Sequence, residues 1–368
     1  MKKVKGILVG TVAAVLGYLV VVIFFPVLDV PKQPFPRRRK ESGGRNPPPS
    51  RQDVQFDVDG TTIRAWLYLP QDTSQPVPSV VMSTGFGGTK EAVIERYALR
   101  FVEAGLAVLT YDYRHFGESD GEPRQLFDTS YQLDDLRAAV AYARSREEID
   151  PEKIILWSTS AAGGYGLVIA AEDERNASPQ RIAGVIAQCP SIDHDADGKL
   201  FMKREGWGYI ARLFVHAQRD KGRSRFGLSP HTIPIVGRPG TMATLTAPGA
   251  FEGYAGLVEE SETFKNEVCA RMLFMGHGRD PIEAAADVQC PVLFLVCEYD
   301  NLASPQSHVR AAEALGDKAT VKSYPIGHFD IYEGEHFEEA VNEKIAFIEK
   351  APVSVVQRAT ELAVAIIR

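Results

Sequence analysis

A serine stands at the centre of a turn made of very small residues. The stretch Ile154-Ile155-Leu156-Trp157-Ser158-Thr159-Ser160-Ala161-Ala162-Gly163-Gly164 reads as an apolar strand running directly into a helix. Such a turn exposes the hydroxyl of its central residue. It also aims the free N–H groups and positive dipole end of the following helix at that hydroxyl. The turn must be tight, so the residues two before and two after the serine must be small. Ser158 and Ala162 meet that need around Ser160. Taking Ser158 as the central residue would put Leu156 at a crowded position. The chemistry is nucleophilic, and a serine that attacks a carbonyl needs a base, which in turn needs an orienting carboxylate. Of eight histidines, His328 follows the last predicted strand in Pro325-Ile326-Gly327-His328-Phe329-Asp330. His194, His216, His231 and His277 fall in a long inserted segment, His308 and His336 on predicted helices, and His115 in a loop. Asp300 and Glu298 close one strand and Asp193 follows another, so three carboxylates compete for the orienting role.

The elements that must carry these residues alternate between strand and helix. Residues 55–58 and 62–69 flank Asp59-Gly60, a hairpin signal. Short apolar runs at 79–83, 107–111, 153–157, 182–188, 291–296 and 320–324 read as buried strands. Helical periodicity spans 90–104, 131–146, 161–171, 304–315 and 335–349. Eight strands alternating with helices at this spacing predict an α/β protein, with a mostly parallel sheet covered on both faces. The alternation breaks off after Cys189-Pro190. Residues 191–288 carry many aromatics, and a structureless loop of that length would be improbable. They are read as a largely helical cap over the carboxyl edge of the sheet. The body is thus expected as two core halves, 52–190 and 289–350, separated by that cap.

The strand, the small-residue turn and the helix around Ser160 resemble the α/β-hydrolase family, whose usual G-x-S-x-G motif is S-x-S-x-A here. The resemblance covers about residues 53–350. It implies that the loop Thr84-Gly85-Phe86-Gly87-Gly88 supplies one oxyanion-hole donor, the Phe86 N–H, and that the Ala161 N–H supplies the other. It places the catalytic His after the final strand, at His328, and the acid at Asp300, in the chain order Ser, Asp, His. It makes Asp112-Tyr113-Arg114-His115-Phe116-Gly117-Glu118-Ser119-Asp120-Gly121 a structural loop, with His115 no catalyst. The likeness is nearest to bacterial and fungal members that include uncharacterised hydrolases and polyketide transferases. It implies an acyl-enzyme intermediate without specifying the acyl group.

The 368 residues carry a net charge of −7. Residues 1–50 hold nine basic and two acidic residues, so the remainder carries −14. An acidic body repels phosphate backbones, so no nucleic-acid partner is expected. Four cysteines, at 189, 269, 290 and 297, show neither metal nor disulfide-framework spacing. No metal or cofactor is expected. Residues 6–28 lack any charge, a run that would span about 34 Å as a helix. Residues 1–30 therefore predict an N-terminal transmembrane helix and a single-pass membrane location. More basic residues follow the run than precede it, which favours a cytoplasmic catalytic domain. Gly6, Gly10, Ala13 and Gly17 share one helical face, a seam on which two anchors could pair as a homodimer. Residues 31–51, rich in Pro and Arg, read as a solvated linker, and 351–368 as an amphipathic C-terminal helix.

The expectation is a membrane-anchored serine hydrolase that takes a small-molecule carboxylic ester. An acyltransferase using the same acyl-enzyme is the alternative within enzymes. A catalytically silent hydrolase-fold binding protein is the alternative outside them.

Overall fold

A computed structural model describes residues 2–25, 30–31, 35, 48, 50–92, 94–176, 180–276 and 278–350. The strand-forming runs assemble around one eight-stranded sheet. The elements in chain order are α1 (Lys2–Phe24), β1 (Arg51–Val58), β2 (Thr61–Tyr68), β3 (Val77–Ser83), α2 (Ile94–Glu103), β4 (Ala107–Tyr111), α3 (Thr129–Arg144), β5 (Ile149–Thr159), α4 (Tyr165–Arg175) and β6 (Gly184–Gln188). They continue with α5 (His194–Arg225), β7 (Thr232–Ile233), α6 (Ala250–Val258), β8 (Val268–Cys269), α7 (Pro281–Ala284), β9 (Val292–Cys297), α8 (Pro305–Leu315), β10 (Ala319–Tyr324) and α9 (Gly334–Lys350).

The strand order is β1-β2-β4-β3-β5-β6-β9-β10. β2 pairs antiparallel with β1 and β4, and every other neighbouring pair is parallel. This is the mostly parallel α/β sheet that the alternation requires. Parallel strands are joined by crossovers, so helices cover both faces. Leu133, Leu136 and Val140 of α3, with Leu167 and Val168 of α4, pack on one face. Tyr97 and Phe101 of α2, with Phe337 and Val341 of α9, pack on the other. Because β3, β5, β6, β9 and β10 run the same way, their carboxyl ends lie along one edge. Side chains far apart in sequence gather there.

Between β6 and β9 lie α5, α6, α7 and the two-stranded β7–β8 sheet, with a core of their own. Leu213, Ile233, Phe251, Tyr254, Phe264 and Val268 belong to it. α5 is broken at Gly206, whose φ of 74° is left-handed. Phe35, in the stretch expected to be solvated linker, is half-buried against this core. Its ring centroid lies 5.3 Å from Phe251 and 5.5 Å from Phe264. Residues 351–368, expected as an amphipathic helix, lie outside the described residues.

The N-terminus departs from expectation. Among the described residues no helix is long and apolar enough to cross a membrane. The expected transmembrane helix, the single-pass location and the orientation read from its flanks are therefore not supported. α1 has Lys2, Lys3 and Lys5 in its first turn and stops at Phe24, short of the full charge-free run. Its last turn is held by protein. Val22 and Ile23 are buried, and Ile23 packs onto Gly222 of α5. Arg219 Nη1 donates to the carbonyl oxygens of Val22 (2.8 Å) and Phe25 (2.5 Å). A guanidinium thus satisfies carbonyls that the helix end leaves open. At Gly17, on the small-residue face, no atom of the described residues outside α1 lies within 4 Å of the Cβ position.

One buried ion pair fixes two loops at the sheet's carboxyl edge. Lys90 Nζ meets Asp112 Oδ2 at 2.7 Å and Glu118 Oε2 at 2.5 Å. The Lys90 and Glu118 backbone N–H groups also donate to the Asp112 carboxylate, at 2.7 and 2.8 Å. The lysine and aspartate side chains are 1% and 0% exposed, so removing one partner strands the other in a poor solvent. Asp112→Ala is expected to lower stability by about 3 kcal/mol in urea unfolding, with Glu118 retaining part of the pairing. A loss below about 1 kcal/mol would show that the loops do not depend on this pair.

Candidate active site

Ser160 sits between the end of β5 and α4, in a short 3₁₀ turn over Ser160–Ala162. Its φ is +56°, a left-handed conformation that a non-glycine residue adopts at a cost of roughly 1–3 kcal/mol. Backbone bonds hold it there. The Ser160 carbonyl accepts from the N–H groups of Gly163 and Ser191, both at 2.8 Å. Gly85, in the loop after β3, makes room on the other side. A Cβ at Gly85 would lie 2.9 Å from Ser160 Cβ. Ser158 lies inside the sheet, fully buried, and its hydroxyl has no hydrogen-bond partner among the described residues.

The sheet edge brings Ser160, His328 and Asp300 together. Ser160 Oγ is 2.9 Å from His328 Nε2. His328 Nδ1 is 2.6 Å from Asp300 Oδ2. The other carboxylate oxygen, Asp300 Oδ1, accepts from the Leu302 and Ala303 N–H groups at 2.8 and 2.9 Å. Both members of the His–Asp pair are buried. Burial alone would raise the Asp300 carboxyl. The His328 charge and hydrogen bond, with the two backbone donors, outweigh it and hold Asp300 below its ordinary 3.8. Burial would likewise lower His328, but the Asp300 charge and hydrogen bond raise it above 6.5.

The competing residues lie elsewhere. Glu298 is exposed. Asp193 caps α5 by accepting from the Ala196 N–H at 2.8 Å and is paired with Arg310. His115 is buried in the loop after β4 with a φ of 72°. His216 and His231 pair with each other at 2.8 Å. His308 bonds the Pro190 carbonyl at 2.7 Å, and His336 lies 3.6 Å from Glu339. His277 is outside the described residues.

Other residues lock the site, and sequence reading passes over them. Thr159 Oγ1 and Tyr332 Oη are 2.5 Å apart, tying the Ser160 turn to the His328 loop. Thr159 Oγ1 also donates to the Gln188 carbonyl at 3.2 Å. The Gln188 side-chain oxygen accepts from Lys344 Nζ, which lies 3.9 Å from the Tyr97 ring centre. Burial pushes the Lys344 amine well below its ordinary 10.5. One signal for it existed. Lys344 falls on the apolar stripe of α9 with Phe337, Ala340, Val341 and Ile348. No spacing rule joins Thr159 to Tyr332.

A narrow cleft opens onto Ser160 and His328. Ile94, Leu245, Leu257, Val258 and Phe329 give it an apolar lining. The loop 84–88 forms one wall, and Thr84 Oγ1 closes it by donating to the Gly88 carbonyl at 3.1 Å. A larger polar depression around Arg51, Trp66 and Glu95 lies away from Ser160. Among the described residues no group of three or more His, Cys, Asp or Glu is placed to hold a metal ion.

Comparison with known proteins agrees with this fold. Residues 78–335 match the family described as alpha/beta hydrolase fold. The quorum-quenching protein AidA of Acinetobacter baumannii is 38% identical over 307 residues, covering 83% of this chain and 96% of that protein. A polyketide transferase of Stachybotrys chlorohalonatus is 28% identical over 311 residues, covering 82% and 97%. The crystal structure of the alpha/beta hydrolase GrgF from Penicillium superposes with a TM-score of 0.66 at 25% identity, covering 82% of this chain and 98% of that one.

The His–Asp electrostatics can be read directly by NMR. The His328 imidazole is expected to titrate above 6.5, because imidazolium is stabilised by the carboxylate it faces. In Asp300→Asn that charge is gone while burial remains, so the value should fall below that of the parent protein. An unchanged titration would mean that the pair does not interact as its geometry indicates.

Proposed function

The chain belongs to the α/β-hydrolase fold family, and from that premise we propose that it is a serine esterase acting through an acyl-enzyme on Ser160. The observation that carries the proposal is the unbroken relay from Ser160 Oγ through His328 to Asp300 at the mouth of an apolar cleft. Ser160 Oγ attacks the ester carbonyl and His328 Nε2 takes its proton. The tetrahedral oxygen receives hydrogen bonds from the backbone N–H groups of Phe86 and Ala161. Each such donor typically contributes about 3–4 kcal/mol. His328 then protonates the departing alkoxide, leaving the acyl group on Ser160. It next activates water, and the acid is released. Asp300 keeps the ring oriented and stabilises the imidazolium.

The lining favours an uncharged aliphatic or aryl acyl group, since the cleft offers apolar contact and few polar groups. The cap segment 191–288, inserted between core halves 52–190 and 289–350, would supply part of that lining, as Leu245, Tyr254, Leu257 and Val258 do. A second reading, transfer of the acyl group to an alcohol, is favoured by the likeness to a polyketide transferase. Both readings share the acyl-enzyme and part at its second step.

A series of p-nitrophenyl esters of rising chain length tests the proposal, with short to medium acyl chains expected to react fastest. Ser160→Ala should cut kcat/KM by at least about 10⁴-fold. It should also abolish labelling by a fluorophosphonate, whereas Ser158→Ala should keep the labelling. Inactivity on every ester, or labelling that survives Ser160→Ala, refutes the reading. Ester formation outpacing hydrolysis at low alcohol concentration identifies the transferase.

A further inference from the structure

Tyr254 lies on α6, the cap helix beside the cleft. Its hydroxyl donates to the carbonyl oxygen of Phe86 at 2.6 Å. Its ring is buried, with centroids 5.4 Å from Phe264, 6.3 Å from Phe329 and 6.4 Å from Phe35. The neighbouring Gly253 packs so closely on Phe329 that a Cβ there would run into that ring. Phe329 follows His328 in the chain, and their ring centroids are 5.0 Å apart. One turn of α6 therefore touches both the Phe86 loop and the His328 loop.

The buried Lys90–Asp112 pair anchors the Phe86 loop at its far end, but few side chains hold it around Phe86 itself. Gly85, Gly87 and Gly88 surround Phe86 and contribute no side chains. The Phe86 ring packs on Phe127 at 4.4 Å, and Thr84 closes the base of the loop. A backbone dipole used in catalysis must already point at the place where charge develops. A strong hydrogen bond to the adjacent carbonyl restrains rotation of a glycine-flanked loop.

We propose that Tyr254 is a positioning residue: its phenol O–H fixes the Phe86 loop so that the Phe86 N–H faces the tetrahedral oxygen. The inference rests on the esterase reading and adds that the chemistry depends on a seated cap. The cap then serves the reaction through a hydrogen bond as well as by walling the cleft.

Tyr254→Phe removes the hydroxyl and keeps the ring. On p-nitrophenyl butyrate it should lower kcat about tenfold and leave KM within about twofold. Inhibition by a trifluoromethyl ketone, which adds to Ser160 and places an anionic oxygen in the same site, should weaken by about the same factor. Binding of a non-electrophilic amide of the same size should be unchanged. Circular dichroism at the assay temperature checks that the variant is folded. Should it not be folded, Tyr254→Trp, whose indole N–H can also donate, gives a second comparison of kcat against ketone affinity.

Parental kcat in a folded Tyr254→Phe overturns the inference. So does a loss shared equally by the ketone and the amide, which would mark a change of pocket shape. If Ser160→Ala retains activity, the esterase reading itself fails. If Ser160→Ala is inactive and Tyr254→Phe behaves as the parent, this inference alone fails.

Discussion

The hydrogen bond between His328 Nδ1 and Asp300 orders the rest of the site. An imidazole has two nitrogens, and whichever one is tied decides what the other can do. With Nδ1 held by a buried carboxylate, Nε2 is left facing Ser160. That arrangement needs the end of β9 beside the end of β10, and β5 two strands further along the sheet. The parallel order β5-β6-β9-β10 meets this need. The carboxylate is itself steadied by the N–H groups of the chain that turns away after Asp300. Charge, ring orientation and strand order are thus one constraint.

Beneath the relay lies a layer of buried polar groups. Thr159, Tyr332, Gln188 and Lys344 connect the serine turn, the histidine loop, β6 and α9. Lys90 and Asp112 do the same for the loops after β3 and β4. Burying polar groups costs free energy unless each finds a partner. Paired in this way, they favour one arrangement of loops over others that an apolar filling would tolerate. The strained φ of Ser160 is held within this frame, by backbone bonds from Gly163 and Ser191.

The segments outside the sheet make contacts that composition alone does not show. The elements between β6 and β9 have their own core, and Phe35, from a stretch that composition alone reads as solvated, packs against it. The last turn of α1 docks on α5 through Arg219 and Ile23. Charge-free composition describes what an isolated helix would tolerate. It does not describe which surface the folded protein offers to that helix.

Much of the fold was legible because it rests on local pattern. Strand β4 coincides with its predicted span, and the others differ from theirs at the ends, where pairing decides the last residue. The serine turn was legible because a tight strand-to-helix passage admits few residue types. The choices of His328 and Asp300 came from family resemblance, since eight histidines and several acids satisfy composition equally well. Thr159 with Tyr332, and Tyr254 with Phe86, were not legible. They meet across 173 and 168 residues, and no periodicity reaches that far. By itself the sequence determined the alternation and the tight turn that presents Ser160, because adjacent residues share one backbone geometry. Which imidazole faces the serine, which hydroxyl braces the loop and where the apolar N-terminal helix rests were decided by tertiary packing, because hydrogen bonds between distant segments exist only once strand order has brought them within reach.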